Sequence, residues 1–569
     1  MDFLALWLQK KKKWVLAMVV VFSLLLRFFY YQEIQNTPAL FLHQDAQTDM
    51  NFFHVWAGNI AQGDILTKKD LHPYHLWHHK IALAASQQAG KTEFTQETGK
   101  KMWEDWYGGK RFHQEPLYPY IISFFYRFLG TEIEWIFLWQ LFLGTLSNVL
   151  FFGIASFYFG PVLGLLCAIL SVFYGPLMFH ETVLLRPAWM SFISLLCVWL
   201  ATMAFSQKKC YIFCFMGMAC GLAFLTKSTL GSFFFLFLAV AWFYEKRIQF
   251  FWKQAVCMLL GFALPLLPLV ARNLSLGVPP LEISSVGAIT FVNSNASDFM
   301  PGKGFSISQH APEIMSQSNG KFFPAVLLTL QTHQNPIEYA KLLFHKAMIF
   351  WTRQEISNNN YNYQYYSLHS FVLSYLQLPF AIVGFLSFTG IFLAIPQAKK
   401  FWIFYLLFFI TLMPQVIFYN LSRFRTPMIF FLLPFAAYSL LFFYESIKQK
   451  QYKRLLLYFF MAVLFFHIPQ TSPEIWEAEW YLANHYSIAG AEKRIEEGRF
   501  QDALCLLEKS LSTKNICLSD KNNVTIRVID SYKNMHHACA WIYNEQKQTE
   551  KAQIHLEHAS FLNSILKKE

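Results

Sequence analysis

Charge is scarce in this chain. Asp, Glu, Lys and Arg make up 14% of its 569 residues, against roughly a quarter in ordinary soluble domains. That deficit excludes a disordered chain, which needs high charge and low hydrophobicity. Glycine (25) and proline (22) are too few for a collagen-like chain. The nine cysteines form no pair of CxxC motifs, which excludes a zinc-ribbon framework, and their scatter over so long a chain excludes a disulfide scaffold. Both the GxxxxGK[ST] loop and the GxGxxG fingerprint are missing, so neither a nucleotide-driven pump nor a soluble nucleotide-sugar enzyme is supported and no nucleotide cofactor is expected. What remains is apolar: 55% hydrophobic residues, 19% aromatic, 62 of them Phe, and a mean hydropathy of +0.30. That composition defines a polytopic, all-α membrane protein. The net charge of +12 reads as cytoplasmic loop charge under the positive-inside rule and not as a nucleic-acid footprint.

The threading follows from apolar runs and basic clusters. Lys10, Lys11, Lys12 and Lys13 precede a first span at 14–30 with no small-residue cleavage site after it, so an uncleaved span with a cytoplasmic N-terminus is expected. The apolar run 116–129 is only about 21 Å long as a helix, short of a hydrocarbon core of roughly 30 Å, and reads as interfacial. Spans are then expected at 135–154, 161–179, 183–205, 210–226, 228–244, 251–271, 370–394, 401–419, 427–445 and 455–469. With the first, this makes about 11. The threading puts Lys208-Lys209, Lys246-Arg247, Lys399-Lys400 and the basic run 448–454 inside, and a membrane domain, 1–469, presents outer loops 31–115 and 273–369. Counting 116–129 as a span would turn the later clusters outward, against the positive-inside rule.

Beyond 470 the pattern changes to amphipathic helices of moderate polarity. Ala483, Tyr486 and Ala489 stand at helical spacing. The segments Glu497-Gly498-Arg499-Phe500-Gln501-Asp502-Ala503 and Ala540-Trp541-Ile542-Tyr543 … Glu550-Lys551-Ala552 look like two tetratricopeptide-type helix–turn–helix units. Ala503 and Ala552 are 49 positions apart, so an insertion separates units whose usual period is about 34. A domain at 470–569 is expected to pack on the membrane domain or on a protein partner. Cys167, Cys197, Cys210, Cys214, Cys220 and Cys257 lie within apolar stretches and read as small core residues. Cys505, Cys517 and Cys539 leave one tail disulfide open.

Ionisable groups at a membrane interface are functional candidates. Asp45 and Asp49 follow the first span. A carboxylate there can take a proton from an incoming hydroxyl or ligate a cation. His72, His75, His78 and His79 lie in a segment interrupted by Pro73, which reads as a solvated interfacial stretch anchored by Trp77, Trp103 and Trp106 rather than as a metal site.

Several motifs then occur in order. They are Asp49-Met50-Asn51-Phe52-Phe53-His54-Val55-Trp56-Ala57 with Gly63-Asp64, Gln114-Glu115-Pro116-Leu117-Tyr118-Pro119-Tyr120, Tyr174-Gly175-Pro176 … His180-Glu181, Gly221–Lys227, Ile283–Gly287 with Asn293-Ser294-Asn295, and Arg423-Phe424-Arg425-Thr426-Pro427. Together they resemble membrane glycosyltransferases of the GT-C type, in the branch of dolichyl-phosphate-mannose protein mannosyltransferases and bacterial aminoarabinose transferases, and the members with a tetratricopeptide tail. The resemblance spans roughly 14–445. His54, Glu115, Lys227 and the segment 65–106 depart from the usual pattern.

The resemblance implies a GT-C fold and inverting transfer of a sugar from a polyprenyl phosphate to a lipid-linked, glycan or protein acceptor at the outer face of a bacterial cytoplasmic membrane. It implies Asp49 as general base, with Asp45 as its rival. Glu181 is the second acid, and Asp49 with Glu181 the pair that would hold a divalent cation such as Mg2+ or Mn2+. Gln114, Arg423 and Arg425 are implied to bind the donor's phosphate or sugar, a guanidinium fork suiting phosphate oxygens. A flippase or transporter of a lipid-linked saccharide is the alternative. It would favour binding groups near the midplane on repeated halves, and no internal repeat is apparent.

Overall fold

A segment that enters a bilayer must satisfy its own backbone, which in a chain without barrel-like alternation leaves helices. The computed structural model describes residues 7, 10–35, 37–69, 72–90, 93–245, 248–302, 305–356, 363–368, 370–468, 484, 487–511 and 523–567. Among these the regular structure is helical, with no strand. Six described helices are long and apolar enough to cross a membrane: Lys13–Ile34, Glu134–Phe159, Pro187–Gln207, Ile248–Ser275, Ile395–Ile417 and Ser422–Lys448. Large apolar side chains such as Phe235, Phe243 and Leu260 are exposed on the bundle exterior, as a lipid-facing surface requires. The chain is an integral membrane protein.

The other expected spans are shorter or broken. The helix expected over 161–179 stops at Val172 and resumes as Gly175–His180. The one expected over 370–394 is a single π-turn at Val372–Leu376 followed by Phe380–Leu393. One contact breaks both. The Leu378 N–H donates to Phe173 O at 2.6 Å and the Gly175 N–H donates to Leu378 O at 3.2 Å, forming an isolated parallel bridge between Tyr174 and Leu378. Non-helical backbone at this depth is tolerated because it is buried in protein and paired. The expected 228–244 span begins as a 3-10 turn at Ser228–Gly231 before Ser232–Tyr244, and the final one is Tyr452–Phe466. Lys246 and Arg247 lie outside the described residues.

The run 116–129 forms Leu117–Leu129, with Tyr118, Ile122 and Tyr126 buried and Phe124 and Phe128 exposed. This one-sided helix of about 20 Å packs against Asp49–Ala61. Phe53 meets Tyr118 edge to face at 5.2 Å, and the Tyr126 hydroxyl lies 2.7 Å from His54 Nδ1.

The two long polar segments share one core. Ile81, Trp103, Trp106 and Tyr107 from the first pack with Ile289, Val292, Ile314 and Met315 from the second. Gly320 is required at their seam: its φ is +67°, and a Cβ there would fall 2.0 Å from the Trp106 carbonyl oxygen.

In the tail, 487–496 pairs with Phe500–Leu511 across Gly498 (φ +74°), and Asn523–Glu545 pairs with Thr549–Lys567. Ala503 and Ala552 are fully buried where the helices close, in a core with Leu507, Met535 and Ile542. Cys505 and Cys539 are free thiols, one exposed and one buried. Ala483, Tyr486 and Cys517 lie outside the described residues.

Candidate functional site

Asp49 is the first residue of Asp49–Ala61, whose start is fixed by Thr48, its hydroxyl accepting from the Asn51 N–H at 3.2 Å. A carboxylate in the first turn faces the positive end of the helix dipole. Gln114 sits in the short connection before Leu117–Leu129, where backbone bonds from Ser285 N to Phe112 O (2.8 Å) and Val286 N to His113 O (3.2 Å) dock the second polar segment. Arg423 lies in the first turn of Ser422–Lys448. Three elements remote in sequence thus converge.

Their side chains form a chain of hydrogen bonds. Arg423 Nη1 donates to Asp49 Oδ2 at 2.7 Å, and Gln114 Nε2 donates to Asp49 Oδ1 at 3.0 Å. Gln114 Oε1 accepts from Arg186 Nη2 at 2.7 Å, and Arg186 Nη1 also donates to Glu115 Oε2. The other Glu115 oxygen accepts from the Ser228 N–H at 2.9 Å and its hydroxyl at 2.8 Å, with Lys227 Nζ 3.4 Å away. Burial works against ionising Glu115, but Lys227, Arg186 and the Ser228 amide outweigh it and hold the carboxyl well below its usual range.

The relay dries out along its length. The Asp49 and Arg423 side chains are 18% and 12% exposed, whereas Glu115 is 1% exposed. The open end is flanked by imidazoles. Burial lowers the affinity of His75 for protons, with Asp49 and Asp45 opposing, and lowers that of His113 strongly. Asp49 is therefore walled by rings that are neutral at pH 7.

The remaining candidates stand elsewhere. Glu181 is 2% exposed and forms a forked ion pair with Arg27 of the first span, at 2.8 Å from Nε and 2.6 Å from Nη2. Arg425 is buried against carbonyl oxygens of Phe350, Thr352 and Gln354, pairs with Glu355 at 2.9 Å, and stacks on Phe380 at 3.6 Å. Asp45 accepts from the Gln47 N–H at 2.8 Å in an exposed turn. Glu181 and Arg425 thus sit in ion pairs of their own, apart from that of Asp49 with Arg423.

The described residues contain no group of three or more His, Cys, Asp or Glu placed to hold a metal ion. Both Asp49 oxygens and both Glu181 oxygens are taken by cationic or amide donors, so the pair as arranged does not fit a divalent cation.

Arg186 went unread in the sequence. Its signal is its position: a cation capping the N-terminus of the apolar helix Pro187–Gln207 opposes the dipole and so calls for an acidic partner. Its guanidinium also sits over the Phe53 ring at 5.3 Å.

One comparison with known families finds a partial likeness to a family of membrane glycosyltransferases. Residues 113–270 match the family model described as dolichyl-phosphate-mannose-protein mannosyltransferase. The match contains Gln114, Glu115, Glu181, Arg186 and Lys227 and stops short of Asp49 and Arg423. No curated protein matches the chain. Among solved structures, the crystal structure of the Archaeoglobus fulgidus oligosaccharyltransferase in its apo form is similar at 13% identity and a TM-score of 0.41. That alignment covers 85% of this chain and 59% of the other, so the chain spans less than two thirds of that protein's length.

Proposed function

We propose that the protein transfers a sugar from a polyprenyl phosphate to a hydroxyl of a lipid-linked, glycan or protein acceptor, and that Asp49 is the general base. The observation that carries this reading is the double grip on Asp49, one oxygen held by Arg423 and the other by Gln114. An acceptor hydroxyl oxygen attacks the anomeric carbon, and the bond from that carbon to the phosphate oxygen breaks. The electron pair leaves with the polyprenyl phosphate while the acceptor proton passes to Asp49. A single displacement of this kind inverts the anomeric centre.

The ion pair gives the base a gate. While Arg423 donates to Asp49, the carboxylate is a poor proton acceptor. A donor phosphate competes for the guanidinium, and phosphate is a good match for its fork. As Arg423 turns to the phosphate, Asp49 regains basicity when a substrate is present to use it. Arg186 and Glu115 then hold Gln114 in place, a positioning role.

The basic clusters favour a cytoplasmic N-terminus and an extracytoplasmic site, and the resemblance to the tail-bearing branch favours a bacterial inner membrane. The C-terminal helical hairpins offer a surface for an acceptor or a protein partner. A divalent cation expected from the resemblance takes no part in this scheme.

The test is transfer of radiolabelled sugar from short-chain polyprenyl phosphates by purified protein, with a membrane extract as acceptor and Asp49→Asn alongside. Labelled product from wild type alone is the expected outcome. Unchanged product from Asp49→Asn would remove the base assignment and promote Asp45, and donor movement across liposomes without transfer would replace the enzyme by a flippase.

A further inference from the structure

Within the second polar segment, 273–369, one helix is apolar on two sides. Phe322–Gln331 carries no ionisable residue. Ala325 and Thr329 turn inward, and Phe322 meets Phe291 of the helix Gly287–Asn295 at 6.2 Å. Phe323, Leu327 and Leu330 follow at i, i+4 and i+7 and form a stripe on the other side. Phe323 is 78% exposed and Leu327 63%. A helix apolar all round belongs in a protein core or in lipid, and only one side of this helix is in a core.

The helix stands at the end of the membrane bundle. Phe291 faces Phe418 at 6.1 Å, and Asn295 Nδ2 donates to Ile417 O at 2.8 Å. Gly287–Asn295 is thereby pinned to the last turn of the span Ile395–Ile417. The next helix, Pro336–Ile349, packs on that same span. Its Ile337 and Phe344, two turns apart on one side, are exposed, and so is Met413, one turn before Ile417. Apolar exposure thus continues from the span onto both helices. Lys341 shares the exposed side, on a stem long enough to carry its ammonium to the headgroups. With ten residues, Phe322–Gln331 is about 15 Å long, half of a hydrocarbon core of roughly 30 Å, and cannot cross it.

We infer that Phe322–Gln331 lies in the lipid interface and that the bilayer is the partner of its exposed face, with Phe323, Leu327 and Leu330 set among the acyl chains. Lipid is the occupant because the stripe continues a lipid-facing surface and offers no charge for the polar rim of a protein interface. The consequence is positional. Lipid anchorage holds the second polar segment over the bundle end from which Ser422–Lys448, with Arg423 in its first turn, begins. The inference stands on packing and exposure alone and does not depend on the transferase reading.

The experiment places the full chain in nanodiscs that contain a phospholipid with a diazirine in its acyl chain, and maps labelled peptides by mass spectrometry after irradiation. Peptides from 322–331 are expected to be labelled to a level comparable with those of Ile395–Ile417. The adjoining helix Ala311–Ser318, whose outward Glu313 and Gln317 bond each other at 3.0 Å, should stay almost unlabelled. Phe323→Asp/Leu327→Asp alters two exposed positions and should cut labelling of 322–331 about five-fold or more, because carboxylates are driven from acyl chains. Unchanged labelling of the spans in that variant shows that the bundle has folded, and Phe323→Leu should match wild type. No label on 322–331 beside labelled spans overturns the inference, as does equal labelling of wild type and the double variant. Cross-links between the 322–331 peptides of two copies, without lipid label, would give this face to a dimer instead.

Discussion

Two arginine–carboxylate pairs in this chain differ in what surrounds them. Arg27 and Glu181 are 3% and 2% exposed; both carboxylate oxygens are matched by the guanidinium fork, and Ser23 takes a further N–H. A Cβ on Gly144 would collide with both partners, so the first span and Glu134–Phe159 close tightly over the pair. Arg423 and Asp49 are joined by a 2.7 Å bond at the edge of the bundle, 12% and 18% exposed, and Asp49 shares its other oxygen with Gln114. The first pair has nothing to exchange with. In the proposed scheme the second trades its partner for an arriving phosphate. Burial and the completeness of the fork thus separate a pair that holds helices together from a pair that can work.

Breaking that distinction gives a graded set of expectations. The largest effect is on transfer. Asp49→Asn should lower turnover by about 10²–10⁴-fold, the usual contribution of a positioned base, with little change in thermal stability, while Asp45→Asn stays near wild type. Sugar-transfer rates and melting curves on the same preparations decide this. Next, Arg27→Met should destabilise by about 3–5 kcal/mol, because it strands a buried carboxylate. The double variant Arg27→Met/Glu181→Leu should recover most of that loss in a melting assay. A single variant as stable as wild type would show that Glu181 is not held by this pair.

Glu115→Gln should lower the melting temperature at pH 7, and the gap to wild type should narrow in acid. The sign follows from the depressed carboxyl of Glu115. Its stabilisation is fully present above the usual carboxylate range and falls away as pH drops below it. A gap independent of pH between 7 and 3 would contradict the charge assignment. The smallest effect is expected from Gln114→Leu. It removes the bonds to Asp49 and Arg186, worth about 1.5–3 kcal/mol where the partner is charged. Turnover should fall about ten-fold or more at saturating donor, and a change confined to KM would make Gln114 a binding group only.

Much of this site was legible before the structure. Asp49, Gln114 and Arg423 were read from motifs in three distant stretches, and they meet within hydrogen-bonding distance. Glu181 and Arg425 were read the same way and are buried in pairs of their own, because a motif reports that a residue is charged and near a span, not which way its helix turns it. Arg186 was not read at all, and Glu115 only as a departure from the motif; only contact reveals that one neutralises the other.

The sequence by itself determined the class of the molecule. Scarce charge, long apolar runs and the lack of any strand-like alternation admit only a helical membrane bundle, since backbone groups in lipid must be satisfied within each segment. Tertiary structure alone decided that two of the expected spans break at one shared bridge, that the two polar segments fuse into one core, and which acids meet which arginines. Those outcomes depend on contacts between residues far apart in the chain, such as the 374 positions that separate Asp49 from Arg423, and no local pattern encodes a distance in space.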